Sequence, residues 1–270
     1  MRSAIWRELS SAANPLIKVF RRALADGTTK EGWLAVEGPF LVEEALNAAP
    51  RVQTYTILVA SGAAAKFSEL ISRVPPETEI VQVPDRLFQG VAQTQSPQGI
   101  AALVGLPAHA LEQVVTAPNP LLVVACGIQD PGNLGTMMRT ALAFSGSAFL
   151  TLQDTVSPFN PKAVRSSAGA IFRLPVVFGL DPAQALPLLR KRVRIVAADR
   201  DSPASLSQAD LRGPIAILVG REATGLPEEI GRYAGQLLSI PIRKEVDSLN
   251  AATAVSIFLY EAARQRGFRY

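Results

Sequence analysis

The sequence predicts an α/β protein of two domains. Three observations carry that expectation: β-like apolar runs alternate with helical periodicity along nearly the whole chain, a Pro-bearing stretch interrupts the alternation near residue 110, and the composition suits burial. With 270 residues, 48% of them hydrophobic, the chain has material for one large or two ordinary domains, each with its own core. Lys and Arg (27) exceed Asp and Glu (23), and Arg dominates the net charge of +4; this permits a nucleic-acid partner without establishing one. Cys126 is the only cysteine and lies in an apolar run, so it reads as a strand core residue in a reducing compartment. The single His109 stands among Pro and Ala, far from other ligand types, so no metal is expected. No apolar run reaches the length of a membrane span, and residues 1–10 carry Arg2, Arg7 and Glu8 without an apolar core. The expectation is a cytoplasmic protein with no membrane partner.

Each element follows from local pattern. Over residues 14–24, Leu16, Val19, Phe20 and Ala23 recur at helical spacing, with Lys18, Arg21 and Arg22 on the remaining face, a basic amphipathic helix suited to phosphate. A short strand over 33–36 leads through Gly38-Pro39 into a helix over 40–48 that turns Leu41, Ala45 and Leu46 inward. Strand 55–60, helix 63–73, strand 79–83, short helix 85–91 and strand 100–104 complete the first series; 94–99 is a polar turn. Residues 1–105 are thus one domain, 106–119 a linker, and 120–270 a second domain. Its series runs strand 121–126, helix 132–145, strand 148–150, helix 161–168, strand 171–178, helix 182–191, strands 194–198, 215–219 and 237–240, and helix 248–265. That alternation predicts a mostly parallel sheet covered by helices.

Three stretches of the second domain could carry chemistry. The first, residues 127–139, leaves a buried strand and enters a helix, the usual ligand position in α/β proteins; Asn133 sits at the helix start, and Gly135 and Arg139 share a face. The second, residues 217–227, opens a strand into Gly220-Arg221-Glu222-Ala223-Thr224-Gly225. It lacks the Lys and hydroxyl of a nucleotide phosphate loop, and no Gly-x-Gly-x-x-Gly follows any strand, which weighs against a nicotinamide site. The third, residues 239–252, joins a strand to an Ala-rich helix for which Ser248 is a suitable cap. Singly, caps and Gly-rich turns explain each stretch as well as function does.

Together, Asn133-x-Gly135-x-x-x-Arg139, Gly220-x-Glu222-x-x-Gly225-Leu226, and Ile240-Pro241-Ile242 with Ser248-Leu249-Asn250-Ala251 closely resemble the three signature motifs of the SpoU (TrmH-like) RNA methyltransferases of the SPOUT superfamily. Residues 157–170 also resemble members acting on large-subunit ribosomal RNA. Val36-Glu37-Gly38 and Ser96-Pro97-Gln98-Gly99-Ile100 resemble, more weakly, the family's L30e-like substrate-binding domain.

The resemblance implies a small L30e-like α/β domain ahead of a trefoil-knotted parallel-sheet methyltransferase domain. It further implies a homodimer whose active sites borrow residues from both chains, and S-adenosyl-L-methionine as cofactor. It assigns cofactor contacts to Leu218, Val219, Gly220, Ile240 and Leu249, and surrounds the reacting ribose with Arg139, Asn133, Glu222, Ser248 and Asn250. RNA contacts are expected at Lys18, Arg21, Arg22 and Arg165. The implied reaction is 2′-O-methylation of a ribose in RNA, most naturally large-subunit ribosomal RNA. The alternatives are a transfer-RNA ribose methyltransferase and a non-catalytic RNA-binding protein that keeps the fold. Lys244 departs from the pattern, standing where many relatives carry Gly, and the expectation is a cofactor loop of different shape or an RNA surface extended by Arg243 and Lys244.

Overall fold

The computed structural model describes residues 5–221 and 224–268. In chain order the elements are β1 (Ile5–Glu8), α1 (Pro15–Asp26), β2 (Leu34–Glu37), α2 (Pro39–Asn47), β3 (Gln53–Ala60), α3 (Ser68–Ser72), β4 (Glu79–Val83), α4 (Asp85–Gln89), β5 (Ile100–Gly105) and α5 (Leu111–Val115). There follow β6 (Leu121–Ala125), α6 (Pro131–Ala143), β7 (Ala148–Leu152), α7 (Pro161–Ser166), β8 (Val176–Leu180), α8 (Pro182–Arg192), β9 (Arg194–Ala198), β10 (Ile215–Val219), α9 (Glu228–Gly231), β11 (Gln236–Leu238) and α10 (Ala251–Gln265). Two compact units result, one of Met1–Pro107 with Phe159–Arg165, the other of Ala108–Pro158 with Ser166–Tyr270.

The first unit holds a five-stranded mixed sheet in the order β1-β4-β3-β5-β2. Strand β1, which the sequence pattern did not suggest, is a short edge strand of Ile-Trp-Arg-Glu; charged residues there discourage further pairing, and Arg7 meets Glu79 of β4 at 3.5 Å. In α1, Asn14 caps the Leu16 amide at 2.9 Å, Pro15 supplies the first turn, and Gly27 (φ +98) ends the helix. The buried stripe is Ile17, Phe20, Ala23 and Leu24, while Val19 is exposed. Of the expected stripe, Phe20 and Ala23 are buried and Leu16 packs half-buried against the core; only Val19 faces outward, and Ile17 and Leu24 complete the stripe. The expected 63–73 helix is broken into a 3₁₀ turn, Ser61–Ala63, and α3. The Asp85 carboxylate, which accepts the Gly62 N–H at 3.0 Å, holds that turn.

Strands β2 and β5 bring two sequence motifs together. Gly38 (φ +95) donates to the Ile100 carbonyl at 2.9 Å, and the buried Glu37 carboxylate accepts the Gln93 N–H at 2.8 Å and the Thr94 hydroxyl. Gly99 (φ +85) packs where a side chain would strike the Ala63 methyl.

The second unit holds a six-stranded, wholly parallel sheet in the order β11-β9-β10-β6-β7-β8. Its central strands β6 and β10 are buried at every residue, as expected when helices cover both faces. Helices α6 and α10 pack together and share a Ser256–Thr140 hydroxyl contact of 3.2 Å. Three expectations need correction. The segment read as a linker carries α5, whose Leu111, Val114 and Val115 join the unit's core at the spacing of one helical face. Residues 171–178 are not one strand: the 3₁₀ turn Ala170–Phe172 precedes β8, and Pro175 between them cannot donate to a ladder. The last helix starts at Ala251, not at residue 248, because Asn250 and not Ser248 caps it.

Candidate active site

The strand order diverges between β6 and β10, and the carboxyl ends of a parallel sheet beside such a switch point are where α/β proteins bind ligands. There β9, β10 and β11 contribute Ala198, Val219 and Leu238 to a cleft of about 630 Å³. Beyond β10 the chain turns tightly: Arg221 and Gly225 exchange backbone hydrogen bonds of 2.9 Å each, and Gly225 takes φ +66. A Cβ on Gly220 would overlap the Gly225 backbone, so glycine is required by close approach. Beyond β9, the Arg200 guanidinium holds Asp201 through two bonds (3.0 and 3.3 Å) and donates to the Asp247 carbonyl at 3.1 Å, tying down the segment that returns over the cleft. That segment lines the cleft with Ile240, Ile242, Ser248 and Leu249; Asp199, Asp201 and Glu228 add carboxylates.

Two helix starts meet nearby. Asp130 caps α6 by accepting the Gly132 and Asn133 amides, so Asn133 occupies the third helical position and is not the cap. Asn250 caps α10 through Oδ1, which accepts from Ala252 (2.9 Å) and Thr253 (3.2 Å), while its Nδ2 donates to Asn133 Oδ1 at 3.0 Å. One side chain thus satisfies orphan amides of one helix and links it to another.

Of the expected cofactor residues, Val219, Gly220, Ile240 and Leu249 line the cleft. The Leu218 side chain is instead fully buried in the core beneath. Of the expected catalytic residues, Ser248 lines the cleft, and Asn133 and Asn250 pair with each other without lining it. Arg139 is exposed on α6, about 9 Å along the axis from Asn133 at the usual helical rise, and among the described residues forms no ion pair. Glu222 lies outside the described residues. In the first unit Lys18 is exposed, Arg22 pairs with Asp26 at 3.2 Å, and Arg21 donates to the Gly90 carbonyl at 3.1 Å; Arg165 is exposed on α7. Lys244 sits in an exposed turn closed by the Val246 N–H on Arg243 O at 3.1 Å, without a left-handed backbone, so the missing glycine costs the loop nothing.

Sequence reasoning missed Asp199, Arg200 and Arg221. The signal was position alone, directly after two strands of a parallel sheet. Arg221 also explains Gly127 (φ +75), whose missing Cβ leaves room for the Arg221 side chain. Cys126 is buried, and desolvation pushes its thiol up to about 12, so it is no nucleophile. Among the described residues no group of three or more His, Cys, Asp or Glu could hold a metal, and no helix is long and apolar enough to cross a membrane.

Fold and cleft together define an α/β protein that takes a ligand at the carboxyl ends of a parallel sheet. Residues 120–260 match the SpoU rRNA Methylase family and residues 14–102 the MRM3-like substrate binding domain; the chain belongs to the SpoU family. It is 30% identical over 259 residues, 94% of this chain and 98% of the relative, to the 23S rRNA (guanosine(2553)-2'-O)-methyltransferase RlmP of Bacillus subtilis. A match of 34% over 194 residues joins 69% of this chain to 62% of an uncharacterized tRNA/rRNA methyltransferase of Mycobacterium leprae. Among solved structures, the SpoU methyltransferase AviRb of Streptomyces viridochromogenes, crystallised with the cofactor AdoMet, superposes with a TM-score of 0.84 at 26% identity, covering 94% of this chain and 98% of that one.

Proposed function

We propose that this chain transfers the methyl group of S-adenosylmethionine to a ribose 2′-hydroxyl in large-subunit ribosomal RNA. The observation that carries the reading is the convergence of the second and third motifs on one cleft, in a chain that aligns almost end to end with a relative named for this reaction on 23S rRNA. That relative's substrate favours ribosomal over transfer RNA, and the formed cleft favours an enzyme over a protein that only binds RNA.

The cleft fits the cofactor by volume, by apolar walls at Leu238, Ile240 and Leu249, and by the bare backbone of Gly220; its carboxylates suit a cation. Backbone at Val219 and Gly220, with Ile240 and Leu249, would hold it. S-adenosylmethionine supplies a methyl group already activated on a sulfonium. The protein's work is therefore to orient the ribose and ease departure of the hydroxyl proton to water or a neighbouring substrate phosphate oxygen. A guanidinium stays protonated and is a poor base, so Arg139 acts by stabilising the developing alkoxide with its fixed charge. Asn133, Ser248 and Asn250 would surround the ribose, the family motif alone assigns Glu222 a role there, and Lys18, Arg21, Arg22 and Arg165 would meet phosphates.

The same reading makes residues 1–105 an L30e-like RNA-binding domain and 120–270 a trefoil-knotted catalytic domain, whose core α5 joins from the segment between them. In support of the knot, Ser239 beyond β11 is bridged to Ser205 at the sheet edge, yet the chain returns to pack α10 on α6, so its final segment must pass the loops after β9 and β10. In support of a homodimer, Arg139 does not line its own chain's cleft, and a second copy can bring it there. A ribosomal RNA substrate in bacterial relatives fits a cytoplasmic enzyme.

The test is transfer of radiolabelled methyl to unmodified 23S rRNA, with digestion to locate the label on ribose. Arg139→Ala should lower kcat by about 10²-fold or more while calorimetry shows unchanged cofactor affinity. Mixing inactive Arg139→Ala with inactive Gly220→Val subunits should restore activity if sites are shared; no restoration from exchanging subunits rejects the dimeric site. Absence of both labelled ribose and cofactor binding would reject the function.

A further inference from the structure

Opposite the cofactor cleft, at the end of the sheet where the parallel strands begin, cations collect without matching anions. Helix α8 closes on Arg190-Lys191-Arg192, and Arg194 opens β9 two residues later; all four side chains are exposed. Cations do complement a helix C-terminus, but successive residues are about 100° apart, so these three fan across more than half of the helix circumference. The 209–214 loop lies alongside: Arg194 donates to the Asp210 carbonyl, and Arg266, from the end of α10, donates to the carbonyls of Leu211 (3.0 Å), Gly213 and Asn119 (2.9 Å). The acidic groups here are already engaged, Asp210 by Arg212 at 2.9 Å and Glu261 by Arg264 at 2.8 Å. Among the described residues Arg190, Lys191, Arg192, Arg194 and Arg266 form no ion pair; the Asp210 carboxylate, held by Arg212, also feels the charge of Arg194. Arg266 is half-buried, and desolvation followed by the charge of Arg194 lowers its pKa. An arriving anion would relieve that like-charge contact. Beside it opens a groove of about 510 Å³ with Arg212, Arg266, Phe144 and Phe268 in its wall.

We propose that this basic end of the catalytic unit is a second RNA-contact surface, gripping phosphates of the substrate at a distance from the modified nucleotide. It rests on the RNA-methyltransferase reading. A five-residue strand at about 3.3 Å per residue sets the two ends of the sheet roughly 16 Å apart, so only an RNA that extends well past its target nucleotide reaches both. Spread guanidiniums outside any ion pair suit a repeating phosphate backbone.

The test is filter binding of in-vitro-transcribed, unmodified 23S rRNA over a range of salt, using the full-length protein and the variant Arg190→Gln/Lys191→Gln/Arg192→Gln, which keeps helix propensity. Loss of three phosphate contacts should reduce the slope of log affinity against log salt by about 2 to 3 and weaken binding at 0.1 M salt by about tenfold or more. Cofactor affinity should be unchanged, the thermal midpoint should fall by a few degrees at most as the helix C-terminus loses its cations, and the charge-keeping variant Arg190→Lys/Arg192→Lys should retain the wild-type slope. Equal slopes for wild type and the Gln variant, with both methylating the RNA, overturn this surface alone. Unchanged RNA binding with an altered sedimentation coefficient would also overturn it and assign the patch to a second copy of the chain. A wild type that neither binds nor methylates 23S rRNA sinks both readings.

Discussion

Replacing Asn250 separates two jobs that one side chain performs. Asn250→Ala removes the cap on α10, worth about 1 kcal/mol, and the link to Asn133, worth about 0.5–1 kcal/mol at this partly exposed position. The sum is a loss of about 1.5–2 kcal/mol. Asn250→Ser keeps a good cap but is too short to reach Asn133, so it should lose only the link, about 0.5–1 kcal/mol. Both variants unhitch the start of α10 from that of α6, and misplacement of catalytic groups by about 1 Å can cost 10²-fold. Both should therefore lower kcat far more than their stability loss suggests, with the Michaelis constant for the cofactor within a few-fold of wild type. The assay pairs methyl transfer with urea unfolding followed by far-ultraviolet circular dichroism. Indole fluorescence would not serve, because both tryptophans, Trp6 and Trp33, belong to the first unit. Wild-type kcat in Asn250→Ser would refute the role of the Asn133 link, and equal instability of the Ser and Ala variants would refute the cap.

Three other outcomes follow from the same geometry. Gly220→Ala drives a methyl into the Gly225 backbone and should abolish cofactor binding by calorimetry at a cost of about 1–3 kcal/mol in stability; retained binding would mean that the loop yields. Glu37→Ala leaves the part-buried Gln93 N–H and the Thr94 hydroxyl without their acceptor and should destabilise the first unit by about 1–2 kcal/mol, seen by tryptophan fluorescence in urea, whereas Glu37→Gln should recover part of the loss. Cys126, buried and with its thiol pushed up to about 12, should resist iodoacetamide at pH 8 in the native protein and react at once in 6 M urea; rapid native labelling would contradict its burial.

Much of the fold was legible because it rests on local rules. The runs Glu79–Val83, Arg194–Ala198 and Ile215–Val219 were bounded by residues that end strands, and their expected limits coincide with β4, β9 and β10. Elements went astray where a neighbour outweighed the local pattern: Asp85 holds the Gly62 amide in the turn ahead of α3, and the apolar face of α5 drew a supposed linker into a core. Strand β1 escaped because an edge strand of mixed polarity carries no alternation to detect.

The site divides in the same way. Sequence by itself determined the chemistry on offer, since motif residues such as Gly220, Ser248, Asn250 and Arg139 are readable one at a time along the chain. Only the tertiary structure decided which of them share space. It joined the loop after β10 to the segment after β11 in one cleft, paired Asn250 with Asn133 across 117 positions, buried the Leu218 side chain below the cleft and left Arg139 outside it. The physical reason is that spacing along a strand or helix fixes direction over a few residues, whereas contacts between distant segments depend on sheet order and on helices packing against each other, which no local pattern encodes.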